Sequence, residues 1–172
     1  MKLIILLTLF ITYLNADLSK INSFEADFIQ TVEDEKGKIL SYDGHIIASK
    51  PQYALWRYTQ PIEKDIYISL YKLTVIEPEI EQVIIRSISS EFDFFHMIQQ
   101  AKLIAPNRYE TYIQNTKYII TSTKKDTIKS ISYIDELGNK IKIEFTNESI
   151  NKEIDTKIFT PNIPIGYDII EG

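Results

Sequence analysis

The sequence predicts a mainly β domain of the α+β class, one antiparallel sheet accompanied by a few short helices. Three observations carry that expectation. Isoleucine is the commonest hydrophobic residue, and with Val, Thr, Tyr and Phe it fills short runs of strand-forming character. Turn signals separate these runs without the helical crossovers that a parallel sheet needs. Only one central segment switches to a clear helical period.

In chain order, a short amphipathic helix over residues 18–23 precedes a first strand over 24–32. The acidic tip Glu33-Asp34-Glu35-Lys36-Gly37 turns it into a second strand over 39–49, which Pro51 ends because proline has no N–H for the ladder. Strands follow over 53–58, 65–69, 73–76 and 83–88. They resume over 108–114, 117–122, 127–135 and 140–147, and a last short strand covers 167–170. Asn115-Thr116 and Glu136-Leu137-Gly138-Asn139 are hairpin turns, the second with a glycine to take φ > 0.

The helical segment is SEFDFFHMIQQAKLIAP, residues 90–106. Ser90 and Asp93 have capping-box spacing. Phe94, Phe95, Ile98, Ala101 and Ala105 share one face, which Phe92 and Met97 widen, and Pro106 stops the helix. A second short helix is expected over 152–157. Nothing in the composition splits the chain, so one domain is expected.

The N-terminus reads MKLIILLTLFITYLNAD. Lys2, an uncharged run over 3–14 and a small residue at Ala16 have the layout of a signal peptide occupying residues 1–16. Twelve helical residues rise only about 18 Å, short of a ~30 Å hydrocarbon core, which disfavours a permanent anchor. The mature part is then residues 17–172. Loss of Lys2 leaves 18 basic residues against 24 acidic ones. The chain has no cysteine, which excludes disulfides and an acylated N-terminal cysteine. Net acidity without a basic stripe argues against nucleic acid as a partner.

Catalytic signals are missing from the sequence. It holds no phosphate-cradling glycine loop, no G-x-S-x-G elbow and no H-E-x-x-H helix, and its two histidines, His45 and His96, sit in ordinary strand and helix contexts. The reading is therefore non-enzymatic, without cofactor or metal. What remains is apolar surface. In SKPQYALWRYTQP the only tryptophan lies between two prolines, with Ala54, Trp56 and Tyr58 on one strand face and Tyr53, Leu55 and Arg57 on the other. Both faces are partly apolar, which demands either a second covering layer or a ligand. Pattern alone leaves both open, and ordinary core remains a full alternative.

The order of motifs adds a family. SFEADFIQTVED, then YDGHIIASKPQYALWRYTQP, then EPEIEQ resemble the periplasmic lipoprotein carrier family LolA. The matching positions are Phe24, Ala26, Phe28 and Gln30; residues 44–51; Trp56, Tyr58 and Pro61; and Glu77, Pro78 and Gln82. The resemblance implies an unclosed half-barrel: one curved antiparallel sheet, with a lid of short helices over a concave hydrophobic cavity. It implies that the cavity holds acyl chains of lipoproteins taken from an inner-membrane lipoprotein-releasing ABC transporter to an outer-membrane receptor. The protein is then a monomer of the periplasm. By the same resemblance the sheet side of the cavity comprises Ile46, Ala48, Ala54, Trp56, Tyr58, Ile66 and Ile68, and the lid side Phe92, Phe94, Phe95, Met97 and Ile98.

The chain departs from the family pattern in places. Lys50 stands where the family has an arginine that latches the lid, and lysine lacks the planar fork of donors. Ser69-Leu70-Tyr71 replaces an Asp-Gly turn, and the longer C-terminal extension of some members does not follow Gly172. Two rival readings stand beside the carrier: a lipid-binding sensor module of an envelope-stress system on the same fold, and a hydrolase acting on lipid or cell-wall material. The lipidated receptor form of this fold, LolB, requires the cysteine that the chain lacks.

Overall fold

The computed structural model describes residues 17–88, 94–122 and 127–172. The expected signal peptide, Phe92 and the first residues of the expected helix lie outside them. Among the described residues, twelve strands form one sheet. They are β1 (Ser23–Glu33), β2 (Ile39–Ser49), β3 (Tyr53–Gln60), β4 (Lys64–Ser69), β5 (Lys72–Glu77), β6 (Gln82–Ser87), β7 (Lys102–Ala105), β8 (Arg108–Ile113), β9 (Thr116–Ser122), β10 (Ile128–Ile134), β11 (Lys140–Ile150) and β12 (Asp168–Glu171). An α-helix, α1 (Phe94–Gln99), lies between β6 and β7.

The sheet order is β12-β6-β5-β4-β3-β2-β1-β11-β10-β9-β8-β7. Two meanders, β1 to β6 and β7 to β11, thus join along β1 and β11, and β7 and β12 form the outer edges. The sheet is curved and unclosed. The hairpin turns explain the register. Asp34 and Asp135 each accept two backbone N–H bonds from the residues two and four positions on, and Gly37 and Gly138 take positive φ in the same turns. The peptide bonds before Pro51 and Pro61, which bracket β3, are cis.

The structure corrects four expectations. The helix expected to run to Ala105 ends at Gln99, and residues 102–105 are strand β7. Lys-Leu-Ile-Ala is short enough to serve equally as a strand, and pairing it with β8 covers ladder groups that a longer helix would leave bare. The helix expected over 152–157 is a 3-10 turn, Thr156–Phe159, in which the Asp155 carboxylate accepts from the Lys157 N–H as cap. The helix expected over 18–23 is likewise a 3-10 turn, Leu18–Lys20, capped by Asp17. The last strand pairs parallel with β6, whereas the other ladders are antiparallel.

The parallel strand follows from a second layer. Leu55, Tyr67, Ile76 and Val83 form a core on the outer face of β3 to β6. The C-terminal segment covers it with Ile154, Phe159, Ile163 and Tyr167, and the Phe159 ring stacks on Tyr53 at 5.4 Å. The chain therefore reaches the β6 edge from outside and runs parallel to it. This layer accounts for one face of the two-sided stretch Tyr53 to Tyr58. The other face belongs to the site.

Candidate functional site

The inner face of the sheet, under α1, is apolar because each contributing strand alternates. On β1 the even positions Phe24, Ala26 and Phe28 point inward, and on β11 Ile141, Ile143 and Phe145 do, while Lys140, Lys142 and Glu144 face water. β2 and β3 add Ile46, Ala48 and Ala54, all nearly inaccessible. Small residues at 26, 48 and 54 leave room on the sheet for large ones above it. α1 fills that room with Phe94, Phe95, Met97 and Ile98, and Leu18 and Ile21 from the N-terminal turn join the same core.

The aromatic rings form one connected chain. Phe95 meets Phe94 at 5.4 Å, Phe94 meets Phe24 at 5.3 Å, and Phe24 meets Phe145 edge-on at 5.1 Å. From there the contacts run through Trp56 (6.4 Å) to Phe28 (5.3 Å) and Tyr58 (5.1 Å). Gly44 makes this possible, because a Cβ there would collide with the Phe28 ring and with the Arg57 carbonyl.

Polarity rises away from the helix. The Tyr58 hydroxyl donates to Gln30 Oε1 at 2.7 Å, and Tyr42 packs edge-on against Tyr58. Tyr118 and Tyr133 pack at 4.6 Å near the same end. Burial is the main cause that holds both Tyr58 and Tyr133 protonated. It raises the Tyr58 phenol far above its ordinary value and pushes Tyr133 up to about 12.

Lys50, at the end of β2, ties the sheet to the N-terminal turn. Its ammonium donates to Ser19 O at 3.2 Å and Asn22 Oδ1 at 3.0 Å, and it lies 6.0 Å from the Phe95 ring centre. Among the described residues, the backbone carbonyl it grips belongs to residues 17–22 and not to α1. Of the remaining residues singled out from sequence, Trp56, Tyr58 and Ile68 are half-buried against this core. Ile66 pairs with Trp56 and shares its face, also half-buried. Sequence reasoning missed Leu18, Ile21, Ile131, Ile141, Ile143 and Phe145 as members of the face. The alternating K-I-K-I-E-F of β11 carried that signal.

Ionisable groups gather elsewhere. On the outer face His45 Nδ1 lies 2.7 Å from Asp27 Oδ1 and Nε2 lies 3.4 Å from Glu25 Oε1. Hydrogen bonds from Asn147 and then His45 hold the Asp27 carboxyl below its usual range. An open recess of about 960 Å³, also away from α1, is rimmed by both signs of charge, among them Glu33, Lys117, Asp135 and Lys142. What the inner face offers is a greasy surface covered by a small helix.

Residues 19–97 match the family described as outer membrane lipoprotein carrier protein LolA. The chain is 35 % identical to the outer-membrane lipoprotein carrier protein of Wolinella succinogenes over 84 % of each chain. It is 34 % identical to that of Campylobacter jejuni over 98 % of each. Among solved structures it resembles an uncharacterized conserved protein from Thermus thermophilus, with a TM-score of 0.56, 8 % identity and 90 % and 93 % of the two chains covered, which is a likeness of fold alone.

Proposed function

We propose, from the premise that this chain belongs to the LolA family of outer-membrane lipoprotein carrier proteins, that it shields lipoprotein acyl chains between its inner sheet face and α1. It acts without catalysis, as a periplasmic monomer. It takes cargo from an inner-membrane lipoprotein-releasing ABC transporter and yields it to an outer-membrane receptor.

The observation that supports this reading most is how the inner face is closed. The cover is a helix of six residues that puts four apolar side chains onto a continuous aromatic surface. Burying Phe94, Phe95, Met97 and Ile98 contributes roughly 1.5–3 kcal/mol each, so about 6–12 kcal/mol in all. An acyl chain of about 15 carbons transferred from water contributes about 12 kcal/mol at ~0.8 kcal/mol per methylene. The two quantities are of one size for a single chain. Cargo that displaces the helix exchanges one set of apolar contacts for another, which offsets about one of the three chains of a triacylated lipoprotein and loosens the bound state by that amount. Met97 and the phenylalanines suit a surface that repacks, and Lys50 holds the N-terminal turn while α1 moves.

On this reading Ile46, Ala48, Ala54, Trp56, Tyr58, Ile66 and Ile68 form the wall that meets the chains, and Phe94, Phe95, Met97 and Ile98 the cover. The test is a release assay. Membranes holding the transporter and a triacylated lipoprotein receive ATP and the purified protein. A soluble one-to-one complex that needs both ATP and the protein supports the carrier. Absence of soluble lipoprotein, with a folded protein and a working control carrier, overturns it.

A further inference from the structure

The register divides the charges between the two ends of the sheet. Ser23, Ser49, Tyr53, Ser69, Lys72, Ser87 and Ile150 share the end on which the N-terminal turn and Lys50 sit. Among the described residues, this rim carries Lys20, Lys50, Lys72, Arg86, Arg108, Lys129 and Lys152, against Asp17, Glu25, Glu148 and Glu153, with Lys20 paired to Asp17 and Lys152 to Glu25. The opposite rim carries three acidic turns, Glu33-Asp34-Glu35, Glu77-Pro78-Glu79-Ile80-Glu81 and Asp135-Glu136, whose carboxylates outnumber Lys36, Lys38, Lys64, Lys117 and Lys140 at the same end. A chain of net charge −5 thus presents a basic end.

A second observation sits on the same rim. The turn between β4 and β5 consists of Leu70 and Tyr71, with φ of +30° and +74°. Left-handed backbone is strained for side chains of this size, and Asn-Gly would fill a two-residue hairpin without strain. Both side chains nonetheless point to solvent, 52 % and 59 % exposed, beside Lys72. A strained turn that displays an apolar and an amphipathic side chain next to a cation fits a headgroup layer, where tyrosine and lysine both settle.

We propose that the basic rim docks transiently on an anionic bilayer, with Leu70 and Tyr71 seated among the lipid headgroups. The purpose of this contact rests on the carrier reading, since docking this rim brings the α1 side of the protein to the surface where acyl chains leave or enter a membrane. The geometry does not depend on cargo. The acidic far rim turns away from the same surface, so the charge separation orients the molecule as well as attracting it. An acidic face on a protein partner is the competing occupant, but it gives no reason for the exposed Leu70–Tyr71 tip.

The test is co-sedimentation of the purified protein with vesicles, without any lipoprotein. Phosphatidylglycerol-containing vesicles bind the protein at about 0.1 M salt and release it at about 1 M, where the screening length falls from ~10 Å to ~3 Å. Pure phosphatidylcholine vesicles do not bind it. Lys72→Gln with Arg86→Gln weakens binding roughly 25-fold, taking about fivefold per basic side chain. Lys36→Gln with Lys38→Gln makes the same charge change at the far rim and leaves binding unaltered. Leu70→Asn with Tyr71→Gly weakens it about tenfold while circular dichroism stays native. No binding to anionic vesicles at low salt, or equal losses from the two charge-removing pairs, overturns the proposal. Salt-sensitive capture by an acidic protein domain without vesicle binding also overturns it. A protein that carries lipoprotein yet ignores vesicles removes only this inference, and one that binds vesicles yet carries nothing removes only the carrier reading.

Discussion

Gly44→Ala tests how tightly the inner face is fitted. The new methyl meets the Phe28 ring and the Arg57 carbonyl, and the second is backbone that cannot swing away. Phe28 is 2 % exposed and makes edge-on contacts with Trp56 at 5.3 Å and Tyr58 at 5.1 Å. Each such pair contributes about 0.5–1.5 kcal/mol, and overpacking a filled core costs about 1–3 kcal/mol. Because the two effects overlap, the expected loss is about 2–4 kcal/mol. That is a large part of the ~5–15 kcal/mol that holds an ordinary domain together. Trp56 is the only tryptophan and touches the displaced ring, so its fluorescence reports both the local shift and the urea transition. A cycle with Phe28→Ala separates the causes. Relief of the penalty in that background assigns it to the ring, and a persisting penalty assigns it to the β2–β3 ladder at Arg57. A Gly44→Ala variant within about 0.5 kcal/mol of the parent, the order of the error of such measurements, refutes the packing account.

Three other outcomes are expected. Leu70→Asn with Tyr71→Gly relieves two left-handed residues at about 1–2 kcal/mol each and raises the thermal midpoint by several degrees, read by calorimetry; a lowered midpoint contradicts the strain. Lys50→Arg keeps or raises hydrogen-exchange protection over residues 17–22 and 94–99, whereas Lys50→Met lowers it, and equal protection in all three proteins would remove the latch. Tyr133, pushed up to about 12, stays protonated in the fold, so its contribution is complete below pH 10 and is lost as pH rises from about 10 through 12. Absorbance at about 295 nm then shows exposed tyrosines ionising first and a later rise coincident with unfolding; a single wave near pH 10 contradicts burial of Tyr58 and Tyr133.

Local chemistry was legible in the sequence, and long-range chemistry was not. The second strand falls over 39–49 in both sequence and structure, because apolar alternation, the Asp34 to Lys38 turn and Pro51 bound it on both sides. The mixed faces of Tyr53 to Tyr58 signalled a demand for either a second covering layer or a ligand. Nothing local could name the outer layer, since Phe159 meets Tyr53 across about a hundred residues of chain, a separation that local pattern cannot see. The helix boundary failed for a different reason. Ala101 and Ala105 fit the helical face, but the bare edge of β8 recruits Lys102 to Ala105 as a strand, a tertiary demand that outweighs period. Of the site, the aromatic helix and the Ala54-Trp56-Tyr58 face were readable. The β11 half of the inner face was equally readable as alternation, but the family motifs lie in the first half of the chain and drew the assignment there.

The seam between the two meanders has a consequence for how the chain is made. β1 pairs with β11 across 107 positions at Glu33 and Lys140, and Asn22 meets Asn151 across 129. β6 acquires its outer neighbour only when residues 168–171 exist. A ribosome emitting this polypeptide therefore releases β1 and β6 with open flanks, which close only once residues 140–150 and 168–171 have followed. High contact order of this kind delays folding until the whole molecule is available. β12 does not abolish the open flank but shortens it, replacing the six-residue edge of β6 with a four-residue edge that begins and ends on the carboxylates Asp168 and Glu171, so loss of these residues lengthens the template offered to another chain.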